Sequence, residues 1–309
     1  MSKNSILETI MECPVCGSQI LQIYKKGTLN LDSLSEEQFK ITDNAYGNTW
    51  DLTQCKNCSY VFANPRPTPA LIDSMYMKIE DPDYEDEASG REKNFKRILS
   101  RLEKIHPEKG VLFDVGAATG ILLNTARERG WHPAGVETSQ WAVKVAEEKY
   151  SIMVQQGNFT SLDSLPNMIT AVTMVDFIEH IFNPFTAVSH AHRILKPGGT
   201  LCVVTPDLNS LAARIAGQKW WHFRPAHLAY FTKKSLTYLL ERSGFQIIKF
   251  KRYSWSFSAY YILSRKPVFK FLLKNKRMAS FWKKIPVKLA LLDSYEVYAR
   301  KEKKNEGLL

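Results

Sequence analysis

Four of the five cysteines fall into two C-x-x-C pairs, Cys13-Pro-Val-Cys16 and Cys55-Lys-Asn-Cys58, while Cys202 sits alone in an apolar run. In each pair the two thiolates can reach one ion, and two pairs complete the tetrahedral four-sulfur set of a structural zinc. The 38 residues between the pairs exceed the usual spacing, yet a loop of that length closes at modest entropic cost. A single redox motif would not account for two pairs; reduced, unliganded thiols are the other alternative. Four thiolates leave the ion no open position. The spacing therefore predicts a structural Zn2+ on Cys13, Cys16, Cys55 and Cys58, with Cys202 in the core.

A second constellation starts at Asp114-Val115-Gly116-Ala117-Ala118-Thr119-Gly120. Glycines placed where a strand turns sharply into a helix let the backbone approach a ligand closely, and the helix N-terminus favours an anionic group there. Glu137 follows about 20 residues on, where an acid can accept hydrogen bonds from ribose hydroxyls. Gly157-Asn158-Phe159 offers an amide and an aromatic face to a base, and Asp176-Phe177 closes a further strand on the same edge. A nicotinamide dinucleotide would call for G-x-G-x-x-G, but position 118 is Ala and position 121 is Ile.

Proton transfer near neutral pH suits histidine, and there are seven. His106, His132, His190 and His192 lie on helices or loop ends and are read as packing or surface groups. His180 follows Asp176 by one helical turn. His222 and His227 belong to the aromatic segment Trp220 to Phe231. Tyr76 and Tyr84 precede the core and are candidates to close over a ligand, although the acids flanking Tyr84 equally suit a solvated loop.

The elements that must hold these residues are short apolar strands alternating with helices. Strands are expected at Val111–Val115, Ala134–Val136, Ile152–Val154, Ile169–Val175 and Leu201–Val204, with helices from about Thr119 to Arg129, from Ser139 to about Lys149, and over Pro184–Leu195. This alternation indicates an α/β, doubly wound, Rossmann-like sheet. Thr232 to Ser243 reads as another helix and Phe245 to Phe250 as a strand. Tyr295 to Ala299 is expected as an antiparallel strand at the sheet edge. The organisation is then a zinc ribbon over 1–66, a helical linker or lid over 67–106, the ligand-binding core over 107–252, and a basic, aromatic helical insert with the final edge strand over 253–309.

The formal net charge of +11 is unevenly spread: Ser264 to Leu292 holds nine Lys or Arg and no acid, while Glu80 to Glu87 is strongly acidic. A chain-wide nucleic-acid footprint is therefore weaker than the total suggests. No apolar run approaches the length of a spanning helix, and the N-terminus lacks the order of a secretory signal. A cytoplasmic enzyme is expected. The mixture of aromatics and lysines over 260–290 suits either a helix on an anionic inner membrane face or a helical lid.

From Val111 to Val204 the chain resembles the class I S-adenosylmethionine-dependent methyltransferases. The stretches that carry the resemblance are VLFDVGAATG, GVET, QQGNF, VDFIEHIFNP and RILKPGGTLCVVTP, with DSYEVYARK near the end. It implies an S-adenosyl-L-methionine site in which Asp114, Gly116, Ala117 and Gly120 frame the methionine part, Glu137 and Thr138 the ribose, Asn158 and Phe159 the adenine, and Asp176 and Phe177 the front of the sulfonium pocket. Ala118 stands where the family often has glycine, and Asn158 where it often has aspartate. Glu179-His180-Ile-Phe-Asn-Pro resembles small-molecule O- and C-methyltransferases of quinone and sugar pathways. Pro225-Ala226-His227-Leu-Ala-Tyr-Phe resembles a segment of sugar and cell-envelope methyltransferases whose histidine can act as base, with Ala226 in place of the usual Glu. His227 is thus the first choice for general base and His180 the second. A small metabolite or sugar intermediate, free or lipid-linked, is the expected acceptor, and nucleic acid is not. The alternatives are an RNA methyltransferase joined to a zinc ribbon and a non-catalytic zinc-ribbon binding module.

Overall fold

A computed structural model describes residues 6–43, 46–162, 167–265, 268–269 and 273–302. The N-terminal segment builds β1 (Leu7–Glu8), β2 (Leu21–Lys25), β3 (Leu52–Cys55), β4 (Val61–Ala63) and β5 (Arg66–Pro67). Three helices follow: α1 (Pro69–Met77), α2 (Pro82–Asp86) and α3 (Ala88–Ile105). On α3 the stripe Phe95, Ile98, Leu99 and Leu102 is buried, as its 3–4 residue spacing requires.

Beyond α3 strands and helices alternate: β6 (Val111–Val115), α4 (Ile121–Glu128), β7 (His132–Glu137), α5 (Gln140–Tyr150), β8 (Gln155–Gln156), β9 (Ile169–Val175), α6 (Pro184–Ile194) and β10 (Leu195–Pro206). After them come α7 (Leu211–Ala216), β11 (Ala229–Tyr230), α8 (Lys233–Arg242), β12 (Phe245–Ser258), α9 (Ala259–Ser264), α10 (Lys276–Lys284) and β13 (Pro286–Lys301). The main sheet has the order β12-β13-β10-β9-β6-β7-β8, with β13 antiparallel to both neighbours and the β6–β10 ladders parallel. Six of the seven residues of β9 are buried, the apolar continuity expected of a strand covered on both faces.

Three expectations shift. The third strand lies at Gln155–Gln156, because Ile152 and Val154 are spent as buried contacts against Leu122, Ala146 and their neighbours before the ladder with β7 begins. The final strand is not at the edge: β13 is inserted between β10 and β12, and β12 forms the edge. The basic stretch is not one long helix. Of the residues described there, α9 and α10 are short, and β12 and β13 continue past the sheet as a hairpin pairing Trp255–Ser258 with Pro286–Leu289.

The N-terminal segment expected as the ribbon is tied into the core. Its sheet has the order β11-β4-β3-β2, so a strand from after β10 completes it. Trp50 Nε1 donates to Pro225 O (2.8 Å), and Cys13, Cys55, Cys58 and Tyr60 share one apolar cluster with Leu236 and Leu240 of α8.

Candidate active site

The turn after β6 opens the pocket. Gly116 has φ +72, and a Cβ there would meet the Phe177 ring at 2.9 Å. Gly120, at φ +80, caps α4 against Ala146. Both need glycine, Gly116 to clear the Phe177 ring at the cavity and Gly120 to pack α4 against Ala146. Ala118 also adopts a left-handed conformation (φ +46), and its N–H donates to Glu137 Oε2 (2.9 Å). Glu137 Oε1 accepts from the N–H groups of Thr138 (2.7 Å) and Ser139 (2.8 Å). One carboxylate thus locks the glycine turn to the start of α5. Burial pushes its pKa up while these three N–H groups hold it down. Asp114 is buried beneath the turn, accepts from Thr173 Oγ1 (2.6 Å), and is pushed up to about 8 by burial.

These residues border a cavity of about 310 Å³, at the small end of the range for organic ligands. Of the residues singled out in the sequence, Gly116, Glu137, Thr138, Asn158, Phe159, Asp176, Phe177, His180, Tyr76 and Tyr84 line it, while Asp114, Ala117, Gly120 and His227 stand behind the wall. Asn158 is exposed and its Oδ1 caps the next turn through Thr160 N (3.0 Å), so its amide NH2 is the end that faces outward. The Phe159 ring packs on His190 (4.6 Å between centroids) in the core. Trp141 from α5 and Phe39 and Ile41 from the ribbon also line the cavity. Nothing in the spacing of these three pointed to a site; each reads as an ordinary amphipathic position.

The acidic run before α3 is a set of clamps and not a solvated loop. Asp81 accepts from Thr42 N (2.9 Å), Glu85 from the hydroxyls of Thr119 and Tyr150, and Glu87 from Ser258 N (2.6 Å). Tyr84, held between them, is buried beneath the Arg91 guanidinium (3.6 Å).

At the other end of the cavity Asp176 leaves β9 with φ +48, a conformation that strains a non-glycine residue and often marks a functional site. Its Oδ1 is buried without a hydrogen bond, and burial pushes the carboxyl up to about 6. His180 Nδ1 shares a hydrogen bond with Tyr76 Oη (2.8 Å). The His227 ring stands edge-on to His180 at 4.7 Å, and its Nδ1 has no partner. Burial draws the His180 pKa down to about 3 and His227 well below its usual value, so both imidazoles are neutral at pH 7.

The four ribbon cysteines converge. Cys13 Sγ lies 3.6 Å from Cys58 Sγ and Cys16 Sγ 3.5 Å from Cys55 Sγ. These separations are far beyond a disulfide bond and near the ~3.8 Å edge of a tetrahedron with zinc–sulfur bonds of about 2.3 Å. The donor set fits zinc. The Gly116–Glu137 end of the cavity likewise fits a nucleoside with a charged tail, because it joins a glycine turn, an acid at a strand tip and the Trp141 indole.

The family described as methyltransferase domain matches residues 88–249, more than half of the chain. Ubiquinone biosynthesis O-methyltransferase of Pseudomonas aeruginosa (strain UCBPP-PA14) is 25% identical over 33% of this chain and 46% of its own length. That of Cereibacter sphaeroides is 25% identical over 48% of this chain and 68% of its own. The chain thus spans about half the length of the first of these relatives. Among solved structures, a SAM dependent methyltransferase from Archaeoglobus fulgidus superposes with a TM-score of 0.47 at 17% identity, covering 67% of this chain and 94% of that one. With the glycine turn, strand-tip acid and sheet order in place, the chain belongs to the methyltransferase-domain family.

Proposed function

We propose that the enzyme methylates an oxygen of a small, partly apolar metabolite, which sits between the ribbon-derived wall and His180. The observation that carries this is a single cavity running from Gly116 and Glu137 to Asp176 and His180, closed by Phe39, Ile41, Ile72 and Phe182. S-Adenosylmethionine supplies a methyl carbon activated by its sulfonium, so transfer breaks one C–S bond and forms one O–C bond. Glu137 orients the ribose, Trp141 covers the base, and the phenylalanines exclude water. Activating the acceptor hydroxyl falls to the cluster of His180 with Glu179 and His227. His180 is the member that reaches the cavity; His227 acts through it. The similar ubiquinone-pathway enzymes support oxygen as the acceptor atom. The described lining includes Asp73, Asp81, Glu137 and Asp176 but no Lys or Arg, which disfavours an RNA acceptor. The test is S-adenosylhomocysteine release over panels of phenols, sugars, amines and RNA oligomers. Turnover on hydroxylated small molecules is expected; turnover confined to amines or RNA would overturn the proposal.

We also propose that the four cysteines hold one structural zinc. Purified protein is expected to contain about one zinc per chain. Cys58→Ser should lose it and melt roughly 10 °C lower or more, since a structural zinc contributes a large share of the folding free energy of its module. A metal-free wild type with an unchanged melting point would refute it.

A peripheral membrane contact is the reading we favour for the hairpin of β12 and β13. Val268, Phe269 and Phe281 in the segment joining the two strands and Leu291 and Leu292 on β13 are exposed, as are Lys274, Lys276, Arg277, Lys284 and Lys288. Apolar side chains among cations suit an anionic lipid surface. No described helix is long and apolar enough to span a bilayer. The protein is expected to sediment with anionic vesicles but not neutral ones, and K274E/K276E/R277E to stay in solution; a wild type that stays in solution would end this reading.

A further inference from the structure

The cluster beside the acceptor position has more unpaired buried acceptors than proton transfer needs. Glu179 is 1% exposed. Its Oε2 accepts from Thr205 Oγ1 (3.0 Å), but its Oε1 has no partner. His227 is 4% exposed with Nδ1 unpartnered, and Asp176 Oδ1 is in the same condition. One oxygen of Glu179 and one ring nitrogen each of His180 and His227 lie within 4.8 Å of one another.

The convergence is built into the backbone. Glu179 O accepts from the N–H groups of both Leu228 (2.8 Å) and Ala229 (3.0 Å), which seats the loop carrying His227 against the turn carrying His180. Thr205 orients the carboxylate from β10, and the Tyr76 hydroxyl orients the His180 ring, in the way outer groups orient metal ligands. Two buried carboxylates side by side, Asp176 and Glu179, call for positive charge. Both arginines near Asp176 are engaged elsewhere: Arg224 donates to Ile41 O (3.2 Å) and Lys40 O and pairs with Asp43 (3.7 Å), and Arg91 lies over the Tyr84 ring (3.6 Å).

We propose that Glu179, His180 and His227 form a second metal centre, distinct from the ribbon, which holds one first-row divalent cation at the acceptor end of the cavity. Two imidazoles and a carboxylate suit the manganese-to-zinc series and leave coordination positions open. Of the three residues only His180 lines the cavity, so an acceptor hydroxyl or a pair of adjacent oxygens arriving there would be polarised and oriented by such an ion. The acceptor class becomes a vicinal diol, catechol or hydroxy-acid, which deepens the proposed O-methyl transfer and rests on it for location alone.

The test uses the full chain with its thiolates first loaded with zinc. Mn2+ is titrated in, free Mn2+ is counted by electron paramagnetic resonance, and S-adenosylhomocysteine binding is measured on the same samples by calorimetry. About one Mn2+ per chain is expected, with binding weakened in Glu179→Gln and His227→Gln by more than the roughly 10- to 100-fold that loss of an outer partner costs, and with nucleoside affinity retained. A wild type that binds S-adenosylhomocysteine and leaves Mn2+ free overturns the metal centre while the methyltransferase reading stands. Variants that fold, bind the nucleoside and bind Mn2+ like the wild type overturn it as well. Failure to bind the nucleoside would instead count against the proposed cofactor site.

Discussion

Glu137→Ala is expected to weaken S-adenosylhomocysteine binding by roughly 30- to 1000-fold, about 2–4 kcal/mol, the range for removing charge-assisted hydrogen bonds in a buried site. Two losses combine. The carboxylate is the acceptor proposed for the ribose hydroxyls, and it also ties Ala118 N, Thr138 N and Ser139 N together. Without it three N–H groups at the pocket wall lose their partner, and the turn from Gly116 to Gly120 loosens from α5. Glu137→Gln keeps one acceptor oxygen and should fall between the wild type and Ala. The comparison separates the roles: if the scaffold dominates, Gln and Ala will share a lowered melting point in the absence of ligand. Calorimetry with S-adenosylhomocysteine gives the decisive number, and unchanged affinity in both variants would remove Glu137 from the cofactor site.

Much of this arrangement could be read before any coordinates. The parallel part of the sheet was legible because its strands are nearly all apolar and its helices begin at recognisable caps; Ser139 accepts from Ala142 N (3.2 Å) as an N-cap should. The glycine turn and Glu137 were legible because close backbone approach restricts residue type. What stayed hidden depends on contacts distant in sequence. Phe39 and Ile41 reach the cavity only because the ribbon shares a sheet with β11, and no local pattern encodes that pairing. The acids from Asp81 to Glu87 look like a solvated run until Thr42, Thr119 and Ser258 are seen to donate to them. The position of β13 between β10 and β12 was equally invisible, since Asp293–Ala299 mixes polar with apolar residues and lacks the continuous apolar run of a central strand, although all seven are buried. His227 presented a different difficulty. Its motif singled it out, but motif gives no depth, and the structure puts the imidazole one layer behind His180.

That layering separates the effects of the two histidines. His180→Ala should lower kcat by roughly 10²- to 10⁴-fold, the usual contribution of a positioned group that acts on the proton of the acceptor. S-Adenosylhomocysteine affinity should change by no more than a few-fold, because none of the Glu137 contacts involve this ring. His227→Ala removes a group that does not line the cavity, so its loss is expected to pass through misplacement of His180 and of Glu179, with KM for the acceptor rising alongside a smaller fall in kcat. The double variant should then be no slower than His180→Ala alone, since two residues acting on one step are not additive. Steady-state kinetics on the best hydroxylated acceptor, with nucleoside affinity measured separately, tests the order. If His180→Ala turns over at the wild-type rate, the acceptor is activated elsewhere, and the cluster between β9 and β11 serves only to pack the ribbon against the core.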